Sequence, residues 1–196
     1  MISKKAREAL LVSALALLFA PALSAKGFSY SYADVGYERV NGDHFDVDEA
    51  VVNASFGVHD LVALQAGYVR GWTDGYPKSR DPSGNPDLNQ FQFGLRPHYS
   101  FTKSLDGYGD LIYVNSKFNG DRSKTDIGWV YAAGIRYQAF KRVEFRVAGE
   151  YQSGNVDETF LVIGPVIKLT KDFDLSLRTA HSSDSSSYFA GIRLNF

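Results

Sequence analysis

The sequence has no cysteine, a single methionine and six prolines in 196 residues. Without cysteine there is no disulfide, no thiolate zinc site and no cysteine nucleophile. Charge of one sign is also missing: 21 basic residues stand against 22 acidic ones, giving a net charge of −1 and a pI near 6.4. Non-specific nucleic-acid binding, which needs a basic surface, is not expected. Beyond residue 25 no stretch approaches the ~20 apolar residues of a membrane-spanning helix. With a mean hydropathy of −0.21, a helical membrane bundle is excluded. What the chain has in abundance is 14 Phe, 12 Tyr and 18 Gly. These suit strands, tight turns and aromatic girdles better than helices.

The N-terminus reads as an address. Lys4, Lys5 and Arg7 form a basic start, Leu10 to Leu18 is an apolar run, and Pro21 precedes the small residues Ser24 and Ala25. This is the three-part pattern of a secretory signal peptide, with cleavage expected near Ala25. Residues 26–196 are then the mature domain, and its charge is −3 (18 basic, 21 acidic).

The remainder alternates with period two. Val143, Phe145, Val147, Gly149 and Tyr151 interleave with Glu144, Arg146, Ala148 and Glu150. Successive strand residues point to opposite faces, so this segment has an apolar face and a charged face, whereas a helix would scatter its charges. Ten such segments are read, at about 28–40, 45–58, 61–73, 87–100, 105–117, 126–139, 142–153, 157–169, 172–182 and 186–196. Eight is the count if two of them are misread. A change of parity near Ala33–Asp34 predicts a bulge or another register, and Pro165, which cannot donate to a ladder, predicts a bulge or a frayed pair. Short connections (58–60, 101–104, 141–142, 170–172) alternate with polar ones, of which 73–86 is long. This pattern predicts an all-β, antiparallel, up-and-down barrel with both termini at the short-turn end.

Charge decides which face is inside. The minority faces carry Glu49, Arg96, Asp110, Arg136, Glu144, Arg146, Glu150, Lys168, Asp174, Arg178 and Arg193. The apolar faces carry Trp129, Tyr131, Tyr137, Phe145, Tyr151, Tyr188 and Phe196, grouped towards strand ends as a membrane interface prefers. A transmembrane barrel with an ion-paired lumen accounts for both. Near balance of the two signs is what buried charges require, and a barrel of about eight strands is filled by its own side chains. A narrow channel through the same charges is the alternative. No cofactor or metal is expected.

The signal pattern, the alternating segments and the ending Tyr188-Phe-Ala-Gly-Ile-Arg-Leu-Asn-Phe196 resemble the small outer-membrane β-barrel proteins of Gram-negative bacteria, the group that includes OmpX and the transmembrane domain of OmpA. The resemblance covers the mature chain as a pattern, and its one specific motif is the last strand. It implies residence in the cell outer membrane, contact with outer-membrane lipid and lipopolysaccharide, and a structural or cell-surface role. It further implies an assembly signal formed by Tyr188, Ala190, Ile192, Leu194 and Phe196, read by the barrel-assembly machinery.

Enzymatic alternatives are thin. His181 and Ser183 share a strand face, like the His-x-Ser of outer-membrane lipid A deacylases, but no Glu follows them before Phe196. Asp81 to Asp87 alternates oxygen-bearing residues as a calcium loop does, yet Gly84 and Pro86 are misplaced and no Glu closes it. Asp43-His44 and His59-Asp60 match the residue types of an outer-membrane protease, but lie at opposite ends of one predicted strand and cannot converge.

Overall fold

In a computed structural model of the chain, residues 28–42, 46–74, 87–119, 123–154 and 157–196 are described. They form ten strands and no helix. The strands are β1 (Tyr32–Gly42), β2 (Asp46–His59), β3 (Val62–Asp74), β4 (Asp87–Thr102) and β5 (Leu105–Asn119), followed by β6 (Lys124–Phe140), β7 (Val143–Ser153), β8 (Glu158–Lys168), β9 (Phe173–His181) and β10 (Ser185–Asn195). Each pairs antiparallel with its neighbour in sequence, and β1 pairs with β10 to close the barrel. Ten is therefore the strand number. The signal segment 1–25, the Asp43-His44 pair and the loop from Asp81 to Pro86 lie outside the described residues.

Closure leaves no open edge, so the ladders satisfy the backbone within the wall, as a membrane demands. The β1–β10 seam runs without interruption from Tyr32↔Asn195 to Gly42↔Ser185. Gly36 and Gly191 face one another in it. A Cβ on Gly191 would lie 2.6 Å from Phe189 Cζ, and one on Gly36 2.7 Å from Phe189 Cε2. These two glycines let the Phe189 ring lie against the inner wall.

The expected bulge at Ala33–Asp34 does not occur. β1 keeps a single register, and the apparent change of parity arises because Tyr30 and Tyr32 share the inner face with Asp34 and Glu38. Register shifts fall instead at Gly57/His59, Ser100/Thr102 and Gln138/Phe140. Each precedes a tight turn at the end of the barrel that carries the termini. At Pro165 the β8–β9 ladder is interrupted between Ile163↔Thr179 and Val166↔Ser176 while the register is kept. That is the frayed pair expected of a residue with no N–H.

The wall sorts residues as the alternation requires. Outside, Phe91, Phe93 and Phe196 are 61%, 60% and 63% exposed to the surroundings, beside a continuous set of Val, Leu, Ile, Trp and Tyr. Soluble monomers do not present an apolar surface of this extent. Phe56, Tyr137, Phe140, Phe145, Phe173 and Phe196 ring the turn end, whereas Tyr37, Trp72, Trp129, Tyr131 and Tyr188 ring the loop end. These are the two aromatic belts of a membrane barrel. The turn end carries the short connections, the start of β1 and the C-terminus, and in membrane barrels the end with short turns is the periplasmic one.

Candidate functional site: the barrel lumen

Inward positions are even-numbered on β1 and β4–β9 and odd-numbered on β2, β3 and β10, so side chains from opposite walls meet along the axis. In the periplasmic half they form a solid floor. Arg193 donates through Nε and Nη2 to the two carboxylate oxygens of Asp34, both at 2.7 Å. Arg136 makes the same fork to Glu144 at 2.8 and 2.9 Å, and Arg146 adds its Nε to that carboxylate at 2.7 Å. Arg96 grips Asp110 at 2.6 and 2.8 Å. Forked guanidinium–carboxylate pairs are the strong form of the ion pair. They are needed here because removing an unpaired ion from water costs several kcal/mol, on the order given for real proteins.

Tyr32 stands at the centre of this floor. Its hydroxyl accepts from Arg96 Nη1 at 2.8 Å, and the Arg193 guanidinium lies over its ring at 3.8 Å. Beneath it, residues 28–31, ahead of β1, turn into the periplasmic mouth as a strap. Tyr30 stacks on His98 with ring centres 3.6 Å apart and donates its hydroxyl to Asp106 at 3.1 Å. Arg136 packs over the rings of Phe28 and Tyr30 and donates to the Ser29 carbonyl at 3.0 Å. Ser55 donates to the Tyr30 carbonyl at 2.7 Å. Burial pushes the titration of the Tyr30 hydroxyl above its ordinary range, with the Asp106 charge acting in the same direction, so Tyr30 stays a neutral donor.

Above the floor, towards the loop end, the described residues line a chamber of about 690 Å³. Arg178 is paired with Glu38 on its wall, and Glu49, Glu150, Gln90, Gln92 and Asn53 face the space. Val51, Val69 and Phe189 form a small buried apolar cluster in the same wall.

Of the charges read from sequence as a lumen network, Arg96, Asp110, Arg136, Glu144, Arg146, Arg178 and Arg193 are in inward ion pairs. Asp174 is buried and accepts from Asn195 Nδ2 at 2.8 Å. Glu49 and Glu150 line the chamber without a salt bridge among the described residues, Arg178 being the cation that acts on both, and Glu150 accepts from Gln152 at 2.9 Å. Lys168 is a correction: as the last residue of β8 it is exposed at the periplasmic rim, beyond the packed lumen. The reading missed Asp34, Glu38 and Asp106, all buried. Asp34 and Glu38 were signalled by their spacing of four on one strand face, but Tyr30 and Tyr32 in phase with them obscured it.

Tyr188, Ala190, Ile192, Leu194 and Phe196 all lie on the outer face, with Arg193 and Asn195 inward. Phe196 leans on Phe56 with ring centres 6.5 Å apart. His181 faces outward too. Its Nδ1 pairs with Ser186 Oγ at 2.9 Å, not with Ser183, and its Nε2 with Thr179 Oγ1 at 2.9 Å. The nearby Glu158 carboxylate accepts from the Ser182 and Ser185 hydroxyls. No Ser–His–Glu relay forms among the described residues.

No protein-family description and no curated protein matches the sequence. Solved structures do match in shape. The NanC porin superposes with a TM-score of 0.54 at 14% identity, over 84% of this chain and 100% of that one. An outer membrane channel from Pseudomonas putida F1 gives 0.54 at 8% identity, over 90% and 100%. Neisserial surface protein A gives 0.41 at 17% identity, over 86% and 98%. The fold is that of the outer-membrane β-barrels, and the apolar outer wall with its two belts places the chain in the outer membrane.

Proposed function

We propose that the protein is a structural or cell-surface interaction barrel, not an enzyme, whose lumen is closed on the periplasmic side and open outward as a chamber. One observation carries the reading: the side chains of the floor are withdrawn from solvent. Arg193 and Arg136 are each 2% exposed, Tyr32 3% and Asp106 0%. Four side chains so fully withdrawn from solvent make the lumen there a packed section. The outward residues Tyr188, Ala190, Ile192, Leu194 and Phe196 serve as the assembly signal for the barrel-assembly machinery, and the belts contact outer-membrane lipid and lipopolysaccharide.

A second reading, a narrow channel for ions or small solutes, draws support from the chamber itself and from the porin and channel among the similar structures. Planar-bilayer recording separates the two. The refolded protein is expected to give no discrete current steps, whereas a variant carrying Tyr30→Ala and Tyr32→Ala, which empties the centre of the floor, should conduct. Regular steps from the unaltered protein would overturn the closed reading in favour of the channel.

A further inference from the structure

The chamber above the floor has an unusual distribution of unused charge. Arg146 spends one nitrogen, Nε, on Glu144, and Arg178 spends one, Nη2, on Glu38. Their side chains are 17% and 38% exposed and line the chamber, and Arg146 Nη2 and Arg178 Nε are buried without a hydrogen-bond partner among the described residues. Both belong to the β7–β9 side, where Arg146 lies opposite Gly164 across β7–β8 and Arg178 beside Phe189 across β9–β10. Continuing along the same hydrogen-bonded row, Phe189 meets Glu38 and Glu38 meets Glu49. The row thus passes from the Arg178 guanidinium to Glu49, which makes no salt bridge among the described residues, within about three strand spacings, or ~14 Å along the wall. Glu150, four residues above Arg146 on β7, adds a second acidic side chain with no salt bridge among the described residues.

These groups line one confined space with low-dielectric walls, where fields are focused instead of being screened. A simple anion entering from outside meets Glu150 and Glu49 first. A simple cation that settles there leaves the Arg146 and Arg178 donors unmatched. A solute with one charge of each sign satisfies both sets. Apolar Val51, Val69 and Phe189 between them suit an uncharged middle. At about 690 Å³ the space lies within the ordinary range for small-molecule sites, roughly 300–1,000 Å³.

We propose that the outward chamber binds small zwitterionic solutes, of the size of a short peptide, with the carboxylate on the Arg146 and Arg178 edges and the ammonium on Glu49 and Glu150. This rests on the chamber being closed below, and the experiment is chosen to stand apart from conduction. Protein refolded in detergent is titrated by calorimetry with triglycine, with N-acetyl-triglycine, which lacks the ammonium, and with triglycine amide, which lacks the carboxylate. Triglycine should bind, and each blocked form should bind at least fivefold more weakly. Glu49→Gln should remove the preference over the N-acetyl form, and Arg178→Gln, high in the chamber and away from the sealed floor, the preference over the amide. Equal binding of all three, binding of the amide as tightly as triglycine, or no binding by a barrel whose circular dichroism is that of folded strands would each overturn the proposal. Current steps in the bilayer experiment would sink the closed floor without touching this result.

Discussion

Removing one partner of a buried ion pair leaves a charge stranded, which costs more than losing the pair. Arg193 and Asp34 meet this condition, being 2% and 8% exposed and joined by two hydrogen bonds. Arg193→Met should destabilise the barrel by about 3–5 kcal/mol, the usual cost of such a break. Adding Asp34→Leu should recover most of that loss, since a well-packed apolar pair of similar volume is often neutral. Urea unfolding in lipid vesicles, followed by tryptophan fluorescence, measures both. An Arg193→Met midpoint equal to that of the unaltered protein would mean that the pair lies in water. The arginines of this floor were legible in the sequence because each interrupts an apolar alternation. The central Tyr32 was not, because an aromatic residue in a membrane barrel is equally at home on the belt, and only its neighbours in space decide.

At the scale of an element, β10 gathers three demands on eleven residues. It closes the seam with β1, turns Arg193 and Asn195 inward, and presents Ile192 and Leu194 to the surroundings at 44% and 41% exposure. Ile192→Arg should cost up to about 2–4 kcal/mol, the penalty for a basic residue facing lipid near the midplane, falling towards the rim. The readout is the yield of folded, heat-resistant barrel in vesicles against that in detergent, where the penalty is smaller. Equal yields in both would show that this face does not meet hydrocarbon. Strand positions were legible to within a few residues because the wall alternates in polarity along every strand. The three register shifts were not, since each moves one residue at a strand end, next to a tight turn whose geometry leaves no mark on the alternation. β1 was misread for a related reason: the strap brings Tyr30 into the barrel and places aromatics on the charged face.

Over the whole molecule, the connections and the packed floor point the same way, with tight turns, the C-terminus and the floor on one side and the chamber on the other. The sequence lends itself to a direct test of that orientation, because it contains no cysteine and single cysteines can be introduced without background. Asp184 lies between β9 and β10 at the loop end, and Lys141 between β6 and β7 at the turn end, both exposed. Neither is a member of the lumen pairs, so replacing them should leave the fold intact. In intact cells, Asp184→Cys should react with a membrane-impermeant maleimide while Lys141→Cys stays unlabelled. After the outer membrane is permeabilised, both should react to the same extent, which controls for intrinsic reactivity. The reverse pattern would invert the barrel, put the open chamber towards the periplasm, and remove the physical basis for solute capture from outside the cell. Labelling of both in intact cells would mean that the short turns are reachable from the surface, which no closed barrel spanning the outer membrane allows.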